Sequence, residues 1–263
     1  GVLVDLAVVA EHRALGPALM LQGSLLQDGA THFDLLYGFP NQKAVPAFKR
    51  SGYRHLGDIV RYARVIRHSG YLGDRLPSVL TAPAGVVLDI GRRVLDGCKR
   101  LGARRLRAQW SDRADARFDA LWARSGEADG LVAVHDQAFA RWRFDDSPLE
   151  RTRYLLLTDP VDGQLCAWFA CQEQGKVLHV RDFWADDARS GLGYGYVDAL
   201  VANARRTGHV AVSMEYAAAP DKLAGWLAAG FVERGRRPVY GRFLDGVERD
   251  LGQWHLTAAD EDE

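Results

Sequence analysis

Cysteine is scarce in this sequence, with three residues, Cys98, Cys166 and Cys171, among 263. They form no C-x-x-C pair and their number is odd, which excludes a disulfide framework and points to a reducing, cytoplasmic setting. Charge of one sign is also lacking: 34 Lys plus Arg balance 34 Asp plus Glu. A balanced chain has no long-range field to draw a polyanion, so no nucleic-acid partner is expected. No apolar run reaches the roughly 18 residues of a membrane span, and no signal peptide is visible. The eight histidines are scattered, without an H-x-H or H-x-x-x-H pair beside a Cys or an acid. No metal is therefore expected. A G-x-S-x-G nucleophile turn and a Walker loop are both missing.

What is present is a packed core. Hydrophobic residues make up 48% and charged residues 26% of the chain, as in an ordinary globular protein. Residues 2–9 are rich in β-branched side chains and read as a buried strand. Pro17 suits the first turn of a helix reaching about Leu26. A second strand at 33–38 is broken by Pro40-Asn41, a short helix covers 44–51 with Gly52 after it, and a bent strand runs from Tyr53 to Ile66 with an interruption at Gly57-Asp58. Residues 69–105 form a connection with a basic helix-like run, which is either a solvated face or a phosphate-binding surface.

The same order then returns. Helical segments at 118–122 and 139–144 precede strands at 154–157, 166–171 and 177–183. A helix over 194–206, a strand at 210–214, a helix at 222–229 and a strand at 231–243 follow, with an acidic tail at 258–263. Residues 2–66 match 177–243 in element order, and both end on helix, Gly, aromatic: Ser51-Gly52-Tyr53 and Ala229-Gly230-Phe231. This is an internal repeat of topology.

The chemistry centres on Arg13-Ala14-Leu15-Gly16-Pro17-Ala18, where a strand enters a helix through a Gly-containing turn. Amides at a helix start have no intrahelical partner and can hold a pyrophosphate with help from the helix dipole. A tight turn without a ligand has the same pattern. About 25 residues on, Tyr37-Gly38-Phe39-Pro40-Asn41 closes the next strand, and Ala44, Phe48, Gly52 and Tyr53 follow.

With these two stretches residues 2–66 resemble the GNAT superfamily of N-acetyltransferases. Arg13, Gly16 and Ala18 match its R/Q-x-x-G-x-G/A acetyl-CoA loop. Asn41, Ala44, Phe48, Gly52 and Tyr53 fall on its next conserved frame, with Phe48 where a Tyr is usual. The resemblance implies an α/β (α+β) fold of two GNAT-like modules, each a mixed, mostly antiparallel sheet flanked by helices, as in bacterial tandem members. The first module would span 1–68 and lack its N-terminal strands, the sequence opening part-way into it. A linker would cover 69–105 and a second, degenerate module 106–263.

The resemblance further implies acetyl-CoA, or another acyl-CoA, as co-substrate. The pantetheine would lie along Leu6, Ala7 and Val8. The pyrophosphate would meet Arg13 and the amides of Leu15, Gly16, Pro17, Ala18 and Leu19, with Asn41 and Phe48 completing the site. Pro17 supplies no amide hydrogen. A primary amine, such as an amino sugar or surface-polysaccharide precursor, would attack the thioester directly. Asp5 is a possible base or amine-orienting group, or else an ion pair in the sheet. Phe48 cannot protonate the thiolate, so Tyr37 or a water takes that role or none is used, and Asn41 completes the candidate catalytic set. His12 either touches a phosphate or is an exposed surface side chain. Trp142, Arg143 and Trp184 line an acceptor pocket or belong to the core. The second Gly-rich stretch, Arg189-Ser190-Gly191-Leu192-Gly193, is off the family spacing. Two other functions share this fold: a non-catalytic tandem scaffold or acyl-CoA sensor, and an aminoacyl-tRNA-dependent peptidoglycan transferase, which the zero net charge disfavours.

Overall fold

A computed structural model describes residues 1–4, 7–12, 15–67, 105–125, 130–247 and 254–261. The chain opens on β1 (Val2–Leu3), crosses through α1 (Leu15–Gly29) to β2 (Leu35–Gly38), and continues through α2 (Val45–Arg50) to β3 (Arg54–Val65). After β4 (Arg107–Ser111) come α3 (Arg117–Arg124), β5 (Leu131–Val132) and α4 (Gln137–Ala140). Asp136 caps α4 by accepting from the Phe139 amide, and a π-helical turn extends it over Arg141–Asp145. A meander follows: β6 (Thr152–Thr158), β7 (Leu165–Gln174) and β8 (Val177–Ala185). Gly163 and Gly175 make its two turns at φ of 73° and 59°, a region that favours glycine. Next come α5 (Tyr194–Arg206), β9 (Ala211–Ala218), a 3₁₀ turn at Pro220–Leu223 leading into α6 (Ala224–Ala228), β10 (Val232–Phe243) and β11 (Trp254–Thr257).

These strands build one mixed sheet in the order β1-β2-β10-β3-β9-β8-β7-β6-β4, with β11 paired to β9 and β5. The expectation of a separate sheet for each half is corrected here. β2 and β3 are not neighbours, because β10 lies between them, antiparallel to both. In return β3 lies between β9 and β10. Each half thus lends its long last strand to the other. Hydrophobic alternation fixes which face of a strand is buried, but it does not say which edge the strand will join.

The main core lies under the second half, where Phe118, Tyr154, Trp168, Phe169, Phe183 and Trp226 are fully buried. The first half has a small core of Leu36, Phe48, Tyr53 and Tyr240, with Leu26 of α1 and Val45 of α2 against it. On the other face of the sheet, Ile59, Ala217, Val239 and Leu256 form a third cluster with Tyr37, Phe39 and Trp254. No helix among the described residues is long and apolar enough to cross a membrane.

Several sequence expectations shift in detail. Among the described residues of the run 2–9, only Val2–Leu3 is strand and Val4, Ala7, Val8 and Val9 are not, because β2 ends at Gly38 and offers no partner further on; β-branched propensity alone does not hold an unpaired strand. Helix α1 is longer than expected at both ends. The Gly57-Asp58 stretch does not interrupt β3. Within the acidic tail, Asp260 and Glu261 are buried. Arg237 pairs with Glu261, Arg143 donates to the carbonyls of Ala259 and Glu261, and Arg181 donates to that of Ala258. The basic run of the 69–105 connection lies outside the described residues.

Candidate functional site

Two parallel strand pairs, each joined by a helix, define two places where the sheet can open. In the first, β1 and β2 pair as Val2↔Tyr37 and Leu3↔Gly38, and no further pairing follows among the described residues. Among the described residues no strand enters the gap beyond them. Helix α1 starts beside it. Gly16 is exposed, a Cβ built there would meet nothing within 4 Å, and among the described residues no side chain is hydrogen-bonded to the Gly16 or Ala18 amides. A groove alongside is lined by Leu19, Gly23 and Leu26 of α1 and by Arg50, Ser51, Gly52 and Arg242. It brings two guanidinium groups next to the helix.

In the second place, β8 and β9 pair from Val177↔Ala211 to Val180↔Met214 and then part. Here the gap is filled. Tyr216 of β9 pairs with Val60 on one edge and with Thr257 of β11 on the other, so β11 occupies the edge that β8 leaves. The loop before α5 is closed as well. The Gly193 amide donates to Asp187 Oδ2 at 3.0 Å, which sets a carboxylate where a helix start would attract an anion. Gly191, at φ 99°, lies so near the 3₁₀ turn that a Cβ would come 2.6 Å from Lys222 Cα.

Asp5, Leu6 and Arg13 lie outside the described residues, as does the Leu15 side chain. Ala7 and Val8 are in no strand, so the expected pantetheine edge is not a regular β edge. Pro17, Ala18 and Leu19 lie in the first turns of α1, half-buried. Asn41 Oδ1 accepts from the Lys43 and Ala44 amides at 3.0 and 3.1 Å, an Asx-type turn leading into α2. Phe48 is buried against Tyr53, with ring centroids 5.0 Å apart, and is a core residue. Tyr37 points to the opposite face, edge-on to Phe39. Burial, aided by Asp260, raises its pKa above the usual phenol range and keeps the hydroxyl protonated. His12 is exposed in a short 3₁₀ turn. Trp184 is core and Trp142 is exposed, so the two do not share a pocket wall.

Sequence reading missed a buried polar cluster where β11 fills the second gap. His135, Asp182 and His255 are each at most 1% exposed, and their ligand atoms lie within 4.8 Å of one another. His135 Nε2 is 3.2 Å from Asp182 Oδ1, and its Nδ1 is 2.7 Å from the Ala133 carbonyl. Asp182 Oδ1 also accepts from the Phe183 amide at 2.8 Å and Thr257 Oγ1 at 3.0 Å. The Tyr216 hydroxyl is 2.9 Å from His255 Nδ1. Burial opposes charging of His135, but Asp182 more than offsets it and the pKa rises. Burial, with His135 and Lys222 adding to it, holds the pKa of His255 well below the usual range. Burial and Asp182 push Asp260 up to about 7. One signal for this cluster stood in the sequence: Asp182 falls on the alternation of Leu178, Val180 and Trp184 in its strand, while His179 and Arg181 fall on the other. Its partners 47 residues before and 73 after carry no spacing motif.

No protein-family model matches the sequence, and no curated protein does. Solved structures do. A GCN5-related N-acetyltransferase from Anabaena variabilis superposes with a TM-score of 0.58 at 12% identity, over 91% of this chain and 53% of that one. Another from Kribbella flavida gives 0.57 at 16% identity, over 93% and 52%. A tandem GNAT protein of the clavulanic acid biosynthesis pathway gives 0.50 at 13%, over 92% and 74%. The fold is therefore the mixed α/β fold of GCN5-related N-acetyltransferases. This chain spans about half the length of the first two structures it matches. At such identities the likeness is one of fold.

Proposed function

We propose that the chain transfers an acyl group, acetyl in the simplest case, from coenzyme A to a primary amine, and that the donor binds at the first gap. One observation carries this reading: among the described residues the start of α1 is open at Gly16 and no carboxylate bonds to it, whereas the matching start of α5 holds the Asp187 carboxylate and its gap holds β11. The amides of Leu15 to Leu19, Pro17 excepted, would hold the pyrophosphate. Arg50 and Arg242 in the adjoining groove offer charge to a further phosphate.

The amine, in its neutral form, attacks the thioester carbonyl. The C–S bond breaks as the thiolate leaves, and the ammonium proton passes to a base. Tyr37, kept protonated by burial, can donate a hydrogen bond or a proton but cannot serve as that base. Asn41 commits its Oδ1 to the turn and keeps Nδ2 to donate. Asp5 remains the proposed base, and the acceptor class is a small amine such as an amino sugar.

A second reading, a non-catalytic acyl-CoA sensor or scaffold, is favoured by Phe48, a core ring where the family's acid would stand. Thiol release from acetyl-CoA with a panel of amino sugars separates the two. Calorimetry with acetyl-CoA tests the site itself. Gly16→Glu adds bulk and negative charge at the helix start and should weaken binding tenfold or more, about 1.4 kcal/mol per factor of ten. Gly193→Glu should leave affinity unchanged. Equal affinity for Gly16→Glu and wild type would remove the assigned site, and a loss confined to Gly193→Glu would move it to the second gap.

A further inference from the structure

The buried cluster beneath β11 carries features that an ion pair leaves unexplained. Asp182 Oδ2 and His255 Nε2 are fully buried and make no hydrogen bond of good geometry among the described residues, although the Phe183 backbone lies close enough to the His255 ring to favour its charged form. Two such orphans are costly, roughly 1–3 kcal/mol each. The outer contacts are those of a ligand set. The Ala133 carbonyl can only accept, so His135 Nδ1 carries a proton and Nε2 faces Asp182, where a bound metal ion would replace the proton that Nε2 otherwise donates. The Tyr216 hydroxyl orients His255 through Nδ1 and leaves Nε2 directed at the cluster. The Phe183 amide and the Thr257 hydroxyl hold Asp182 Oδ1. Histidines and carboxylates that bind metals are oriented in this manner by their outer partners.

We propose that His135, Asp182 and His255 bind one divalent transition-metal ion of the zinc class, as a structural staple that locks β11 into the gap between β8 and β9. Two imidazole nitrogens and a carboxylate oxygen suit such an ion. Donors around a tetrahedral zinc lie about 3.4 Å apart. The His135–Asp182 pair already stands at 3.2 Å, and the whole set lies within 4.8 Å, so His255 would close by up to about 1.4 Å on binding. Thr257 Oγ1 or a water completes the shell. The site joins three segments that are far apart in sequence, and it is independent of acyl transfer.

The test uses the chain stripped with EDTA and reloaded with Zn²⁺ or Co²⁺. About one equivalent of Zn²⁺ should survive gel filtration, and the melting temperature should rise by at least about 5 °C. Co²⁺ should give the visible d–d bands of a low-coordinate site. His255→Gln should lose the tight equivalent, while His179→Gln, outside the cluster, should keep it. Should His255→Gln not fold, Tyr216→Phe serves instead: removing the hydroxyl that orients His255 should weaken metal affinity by about 10–100-fold. Wild-type protein that retains less than about a tenth of an equivalent and melts unchanged overturns the proposal, leaving a buried His–Asp ion pair. So does equal retention by wild type and the His255→Gln or Tyr216→Phe variant, which would place the metal on surface histidines.

Discussion

The two gaps of this sheet start from the same local design and end differently. Both are parallel strand pairs crossed by a helix, β1–α1–β2 and β8–α5–β9. In the first, the described pairing covers two residues and the helix start is open at Gly16. In the second, the pair runs for four residues, and then β11 takes the free edge of β9, Asp187 takes the Gly193 amide at the helix start, and the 3₁₀ turn at Pro220–Leu223 closes on Gly191. The difference shows what a binding gap requires besides its strands: an unpaired edge and an unneutralised helix start. A half that supplies both for itself gains core and loses a site. The large core lies in that closed half, and the small core of four buried residues in the open one.

The sharpest way to break the comparison is to remove the strand that fills the second gap. Leu256 of β11 is fully buried against Ile59, Ala217 and Val239. Leu256→Asp forfeits that burial and introduces a charge without a partner. It should cost more than about 5 kcal/mol, so little folded protein should be seen by circular dichroism. Folded Leu256→Asp with wild-type melting would mean that β11 does not hold the second half together.

A matched pair of glycine substitutions gives a smaller effect and a cleaner contrast. At Gly191 the positive φ and the approach to Lys222 Cα both resist a side chain. Gly191→Ala should destabilise by about 3 kcal/mol, the backbone strain adding to the overpacking. Gly16→Ala meets nothing and lies inside a helix, so it should be neutral or gain up to about 1 kcal/mol. Urea melts of the two variants decide it, and equal costs would erase the distinction between an open and a closed loop.

The elements were far more legible in the sequence than their partners. The meander of β6 to β8 was legible in its short apolar runs at 154–157, 166–171 and 177–183 and in the turn residues between them, since Gly163 and Gly175 do form its turns. Helix α5 begins at Tyr194 and ends at Arg206 as its pattern implies. The exchange of β3 and β10 left no trace, because edge choice depends on what the rest of the sheet leaves unpaired. β11 was unreadable for the same reason: Trp254-His255-Leu256-Thr257 is too short for a period, and its role arises only from the gap it enters. At the candidate site, the strand–helix junction at Gly16 could be read from residue types. The side-chain commitments of Asn41 and Tyr37 could not, since they depend on a turn geometry and on which face of β2 meets β11.

The smallest effect concerns how the closed gap is latched at its end. Glu261 follows β11 and pairs with Arg237 of β10, which also holds Glu215. Burial pushes the Glu261 carboxyl up to about 7 from an ordinary 4.5, with Arg237 opposing the rise. The folded state therefore keeps a proton that the unfolded chain releases above pH 4.5. The stability this group contributes is full below that pH and is lost as pH climbs through about 7. Glu261→Gln carries no titrating proton and leaves Arg237 its Glu215 partner. It should flatten the decline of melting temperature between pH 5 and pH 8, by on the order of 2 kcal/mol across that window. Thermal melts of both proteins at fixed ionic strength, in the presence of EDTA, read this slope. A wild-type profile that rises from pH 5 to pH 8, or one that Glu261→Gln leaves unaltered, would show that the latch is held by the Arg143 and Arg181 contacts to backbone carbonyls and not by the carboxylate.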